Sequence, residues 1–374
     1  MKFLQGTLFA LAFLTLFAAC KDDETPGGGT DACTSDFNQS ALFTNVADNL
    51  ILPALRDFDV KLADLKSANE NFAADPTNDN LTVLRSALET AWISWQHVAQ
   101  YSFGPAESVF LRNAVNNFPL DLEMTQTRVA DKTYEFGNPE DYTYGFPALD
   151  YFFFGINGGK ENVLEFYQND ATADLYLDYS RELLFDLKTR STFVLTEWEG
   201  DYRTTFINNT GTAAGTSLSL IINSLNQNYE LIKREKLGVP VGVLTLGFAN
   251  PDRVEAPYAG ISARLTQEAV TAAFNYYRGY GADIDGLGLD DFLREIDAQK
   301  EGQSLDALID AQFKAAIEST DRLTDPLAAQ IEDDNETVEA AYIEVTKNVV
   351  NLKTDMPSVL CVSITYIDNP SDSD

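Results

Sequence analysis

Apolar positions recur at spacings of three and four along most of the chain, the period of an amphipathic helix. From Phe43 the stripe Ala47, Leu50, Ala54, Phe58, Leu62 and Leu65 predicts a long helix with one buried face, kinked at Pro53. Asp75-Pro76-Thr77 interrupts it, and Leu81, Leu84, Leu88, Ala91, Trp95 and Val98 form a second stripe of the same period. A third helical stretch starts near Pro147, and a fourth covers 173–198 through Leu175, Tyr179, Leu183, Leu187 and Val194. Short connections between long amphipathic helices favour antiparallel neighbours, so these four close one bundle. Residues 199–212, rich in Asn, Thr and Gly, read as a seam. Beyond it Leu218, Ile221, Ile222, Leu225, Tyr229 and Ile232 predict a helix ending in Lys233-Arg234-Glu235-Lys236, with Gly238 and Pro240 as stop signals. Residues 261–279, 289–324 (interrupted near Gly302) and 336–354 supply three more helical stretches. Only 359–367, at the C-terminal end, is β-prone. The expected fold is all-α: two packed helical bundles, 36–200 and 201–374, with a short β-prone C-terminal segment.

Composition narrows the function classes. The chain has 374 residues, 45% of them hydrophobic, with 24 Phe and 16 Tyr, enough apolar surface to exclude wholesale disorder. Its 58 acidic residues against 26 basic ones give a net charge of −32, and no basic block exists to neutralise a polyanion, so nucleic acid is excluded as a partner. His97 is the single histidine, which rules out any site needing two imidazoles from one chain. A serine mechanism would have to use His97 as base, and no Gly-x-Ser-x-Gly elbow is present.

The N-terminus reads as a targeting signal. Met1-Lys2 precedes an apolar run, 3–17, too short to span a bilayer, and Leu16-Phe17-Ala18-Ala19-Cys20 resembles a bacterial lipobox in which Cys20 is lipidated. An ordinary secretory signal with an incidental cysteine is the alternative. Residues 1–19 are thus assigned as signal peptide and 20–35 as a flexible acidic, Gly-rich tether. Lys21-Asp22-Asp23-Glu24 resembles a surface-export signal, and a solvated acidic linker explains it equally well. The expected location is the bacterial cell envelope, as an outer-membrane lipoprotein facing the periplasm or the cell surface, with the membrane as partner through the lipid. Cys33 and Cys361 remain as a candidate disulfide in an oxidising compartment, with free buried thiols as the other reading.

Candidate chemistry concentrates in the weakly periodic loop 101–150. It contains Gly104-Pro105, Phe118-Pro119-x-Asp121 and Gly145-Phe146-Pro147-Ala148-Leu149-Asp150. Together with Gly238-Val239-Pro240-Val241-Gly242, the stretch Val254-Glu255-Ala256-Pro257-Tyr258-Ala259-Gly260-Ile261-Ser262, and the closing Thr365-Tyr366-Ile367-Asp368-Asn369, these motifs resemble the imelysin family, peptidase M75. The resemblance implies a two-domain helical fold, a site at the domain junction, and an association of envelope proteins with iron uptake. It also implies a Gly-x-His-x-x-Glu motif whose His and Glu face one side of a helical turn and ligate a metal. Here Pro147 stands at the histidine position and Asp150 at the glutamate position, so that ligand pair is lost.

The ligand-site candidates are Gly145, Phe146, Pro147, Asp150, Asp121, Glu107, Tyr258 and Ser262. Asp150, Asp121 and His97 are the candidate metal ligands, and Glu107, Asp121, Glu123 and Asp150 together would make an all-carboxylate site for a hard cation. Tyr101, Tyr144, Tyr151 and Tyr258 offer phenolic oxygens for iron, or serve simply as core. Asp283-Ile284-Asp285-Gly286 is the nearest approach to a calcium loop and lacks its downstream ligands. The expectation is a non-enzymatic binding or accessory lipoprotein of iron or haem uptake, with no catalytic residues assigned. No cofactor is implied, iron and other cations staying open. A divergent M75-type metallopeptidase and an interaction scaffold without a small ligand are the alternatives.

Overall fold

The structure, a computed structural model, describes residues 35–366. The signal peptide, Cys20, all but the last residue of the tether, Cys33 and Ile367-Asp368-Asn369 lie outside the described residues. Cys361 is disulfide-bonded, to a partner outside them.

Helix α1 covers 39–74 in three continuous pieces: Gln39–Asn45, a π turn Val46–Ile51, and Leu52–Ala74. Asn38 caps its start by accepting the Ala41 N–H at 3.1 Å. The kink predicted at Pro53 takes the form of that π turn. A proline lacks an N–H and crowds the carbonyl four residues back, and pairing five residues back just upstream relieves both conflicts. The same arrangement recurs where the π turn Ile232–Gly238 precedes Pro240 and where Asn351–Asp355 precedes Pro357.

Helix α2, Asn78–Val98, is capped by Thr77 and packs along α1. Helix α3 is Leu122–Asp131, and α4 is the short Phe146–Asp150, extended by a π turn Tyr151–Gly155. Helix α5, Ala173–Glu199, covers the other side of α1. The stripes read from the sequence form this core: Phe58, Leu62 and Leu65 of α1, Leu84, Leu88 and Trp95 of α2, and Leu183, Leu187 and Val194 of α5 are all buried. Within the expected seam, Asp201–Asn208 forms a helix that packs back on α5 and on the first turns of α1.

The second half is built from α6 (Ser217–Leu231, continued through its π turn to Val241), α7 (Ser262–Arg278), α8 (Leu305–Thr320) and α9 (Asn335–Lys347). Helix α7 packs on α6 and α8, α8 packs on α9, and α9 packs on the π turn of α6. Helix α7 also lies against α2, so the apolar core runs continuously through both halves.

Two expectations need correction. Helix α6 does not stop at Lys236: Gly238 is helical at φ −62°, and the end comes at Gly242, in the left-handed region at φ 97°. The β-prone run after Val359 forms no strand as far as residue 366. Lacking a partner strand, its backbone is held by Asn223, which donates to Ser363 O at 3.1 Å and accepts the Thr365 N–H at 2.7 Å. The strands among the described residues are two tiny hairpins, Tyr280–Gly281 with Ile284–Asp285 and Gln299–Lys300 with Gln303–Ser304. The acidic Asp283–Gly286 motif belongs to the first of these: Ala282 and Asp283, at φ 49° and 60°, make its two-residue turn.

Candidate functional site

Gly145 starts α4 at φ +81°, where a Cβ would lie 2.6 Å from Val115 O and 2.8 Å from Ala114 O, so only glycine fits. Phe146 packs on Trp92 at 5.5 Å between ring centroids, and Pro147 sits in the first turn, where its missing N–H costs nothing. One turn on, Asp150 is 0% exposed. Its Oδ2 accepts the Tyr258 N–H at 3.0 Å and its Oδ1 the Ala259 N–H at 2.6 Å. Burial pushes its carboxyl up to about 7 against the pull of those two N–H groups and of Lys160. The Tyr258 ring covers Gly155, where a Cβ would come within 2.4 Å, and Lys160 Nζ donates to Ala259 O at 2.7 Å. The motif therefore clamps the 254–260 loop of the second half onto the first. Pro147 offers no donor atom, and each oxygen of Asp150 already accepts a backbone N–H. The motif residues present here do not fit the metal pair of the Gly-x-His-x-x-Glu pattern.

The other candidates are dispersed. Glu107, Asp121 and Glu123 are exposed helix positions, and Asp121 caps α3 by accepting the Met124 N–H at 3.0 Å. They do not gather round Asp150 as an all-carboxylate site would require. His97, half-exposed, faces Glu268 across α2 and α7 at 3.3 Å. Among the described residues no three His, Cys, Asp or Glu side chains come together in metal-holding geometry. Tyr101 packs edge-on against Tyr276, and the Tyr144 hydroxyl donates to Asn138 O at 2.6 Å, with burial raising it to about 12. Tyr151 and Tyr258 are ring neighbours at 5.5 Å. Ser262, buried at the start of α7, donates its hydroxyl to Glu255 O.

What the structure does assemble is a polar junction around Glu255, which is 1% exposed. Its Oε1 accepts from Trp92 Nε1 at 2.9 Å, Asn116 Nδ2 at 2.7 Å and Gln96 Nε2 at 3.4 Å, and its Oε2 pairs with the buried Lys236 ammonium. Trp92, Gln96 and Asn116 come from the first half, Lys236 and Glu255 from the second. Beside this network lies a cavity of about 150 Å³ between α2, the 112–118 segment and the π turn of α6. Arg112 lines it, donating through Nε and one Nη to Ala99 O at 3.1 and 2.8 Å and through the other Nη to Gln227 Oε1 at 2.8 Å. Burial pulls this guanidinium down to about 10, which leaves it charged at neutral pH. Glu235, also on the wall, is raised by burial and paired with Arg234 at 3.0 Å.

Sequence reasoning passed over Glu255, Lys236 and Arg112 as site residues. Lys236 read as part of a terminal charge run, and only the π turn brings it inward. Glu255 did carry a signal, as the one acid in the otherwise uncharged stretch 254–263.

A two-bundle helical protein with a buried, ion-paired junction is what fold and site define. Residues 51–351 match the family model Peptidase M75, imelysin, and the chain belongs to that family. Iron-regulated protein A of Synechococcus elongatus is 23% identical over 332 residues, 85% of this chain and 82% of that protein. Two solved structures share the fold. One, assigned as an iron-regulated protein A precursor from Parabacteroides distasonis, superposes with a TM-score of 0.72 at 16% identity, covering 86% of this chain and 95% of that one. The other, an imelysin-like protein from Psychrobacter arcticum, gives 0.67 at 18% identity, covering 88% and 97%.

Proposed function

We propose that this chain is a lipid-anchored component of the bacterial envelope that serves iron or haem uptake by binding rather than by catalysis, with its ligand site at the junction of the two bundles. The observation that carries this reading is the division of labour between two carboxylates. Asp150, at the motif position, is taken up by backbone N–H groups, while Glu255 organises donors from both halves beside a cavity. A fixed pocket with a polar floor and apolar walls is what a binding protein needs. Membership of the imelysin family and relatives named for iron regulation support the iron connection. The lipobox-like Leu16 to Cys20 supports the anchor, and no helix among the described residues is long and apolar enough to cross a membrane.

The test is a deletion strain grown with and without an iron chelator. Growth falls only under iron limitation and returns with the wild-type gene, whereas Cys20→Ser moves the protein out of the membrane fraction and weakens rescue. Equal growth of deletion and parent at every iron level removes the uptake reading, and hydrolysis of unfolded peptides by the purified full chain removes the non-catalytic one.

A further inference from the structure

We propose that the junction cavity binds a small organic carboxylate through Arg112 and Asn228; this rests on reading the junction as a ligand site and names the chemistry of its ligand. Of the cations at this junction, Lys236 is paired with Glu255 and Arg234 with Glu235. Arg112 differs: its acceptors, Ala99 O and Gln227 Oε1, are both neutral, and among the described residues no carboxylate lies within ion-pair distance of it. A guanidinium has five N–H groups and three are placed here, which leaves two without an acceptor among the described residues. In a chain of net charge −32, a partly buried cation facing no acid marks a position where the missing anion arrives from outside.

A second observation is independent of charge. Asn228, which also lines the cavity, is 5% exposed, and its Nδ2 has no acceptor among the described residues. Asn116 also lines the cavity, and its Oδ1 has no donor among the described residues. Buried polar atoms are almost always satisfied, so two orphan amide atoms on residues that line one cavity, beside an uncompensated guanidinium, fit a ligand's complement once the side chains turn toward it. Arg112 and Asn228 supply donors to a carboxylate, and Asn116 supplies an acceptor to a hydroxyl. Trp95, Phe118, Leu231 and Ile232 complete the wall, which suits a carbon body better than a mineral oxyanion. The cavity, at about 150 Å³, has room for several waters and so for a short hydroxy acid.

Titration calorimetry on the full chain with lactate, acetate, lactamide and inorganic phosphate tests this. Lactate and acetate bind at one site, lactate more tightly, and lactamide and phosphate bind at least tenfold more weakly. Arg112→Gln abolishes lactate binding. Asn228→Leu, which keeps the guanidinium, weakens it about tenfold, with circular dichroism confirming the fold of both. Phosphate or lactamide binding as tightly as lactate overturns the proposal, as does failure of both carboxylates to bind or indifference of binding to both substitutions. A growth defect under iron limitation without carboxylate binding sinks this inference alone. Carboxylate binding with iron-independent growth sinks the uptake reading alone.

Discussion

Asp150 and Glu255 are both buried carboxylates that tie one half of the molecule to the other, and they do so with different partners. Asp150 reaches from the first half and accepts two backbone N–H groups of the 254–260 loop. Glu255 stands in that loop and accepts three side-chain donors of the first half, with the Lys236 ammonium on its other oxygen. An N–H offers a partial charge and an ammonium a whole one. For Asp150, desolvation outweighs its donors and the carboxyl rises to about 7. One clamp is therefore sensitive to proton concentration near neutrality, and the other is an ion pair closed on itself.

Of the two carboxylates, Glu255 should be the costlier to remove. Glu255→Ala strands the Lys236 ammonium and leaves the Trp92 and Asn116 donors without their acceptor, so we expect a loss of about 3–5 kcal/mol in urea unfolding. Substituting both partners, Glu255→Met with Lys236→Met, should recover the part of that loss due to the unpaired charge and leave the part due to the unmet Trp92 and Asn116 donors. A single-site cost below about 1 kcal/mol would show that water reaches the junction and that the pair is not closed.

Asp150→Asn sharpens the comparison through pH. The folded pKa of about 7 lies above the unfolded value of about 4. Between those values the native state holds a proton that the unfolded chain has released. The stability this contributes is full below about pH 4 and is lost as pH rises through about 7, at no more than about 1.4 kcal/mol per pH unit. Lys160 opposes the shift and Glu255 reinforces it. Stability measured in urea from pH 4.5 to 8 should fall more steeply for the wild type than for Asp150→Asn, the difference levelling off above pH 7. Parallel profiles would mean that Asp150 stays ionised in the fold and that the two clamps are alike.

The bundles were legible in the sequence because their stripes repeat: Leu50, Phe58, Leu62 and Leu65, or Leu81, Leu84 and Leu88, need only the helical period to be read as core. The π turns were not, since one added residue in one turn leaves no periodic trace. That omission hid Lys236, which a regular helix ending at Gly238 would leave among solvated charges. Asp150 was legible as the one ionisable group of the altered motif. Its partners were not, because the N–H groups of Tyr258 and Ala259 belong to the backbone, which every residue shares. Asp283-Ile284-Asp285 shows the converse, an acidic pattern that the left-handed φ of Ala282 and Asp283 turns into a hairpin.

The smallest expected effect comes from a third contact between the halves, made at the surface. His97 on α2 meets Glu268 on α7 at 3.3 Å, with the two side chains 41% and 37% exposed. The hydrogen bond from His97 holds the Glu268 carboxyl below its usual range, yet both groups keep most of their hydration when parted. His97→Gln should therefore change unfolding stability by less than about 0.5 kcal/mol. Lactate binding at the cavity should be unchanged, because His97 is not among the residues that line it. A loss above about 2 kcal/mol would place the coupling of the halves in the α2–α7 surface rather than in the buried carboxylates, and would reverse the order of the comparison.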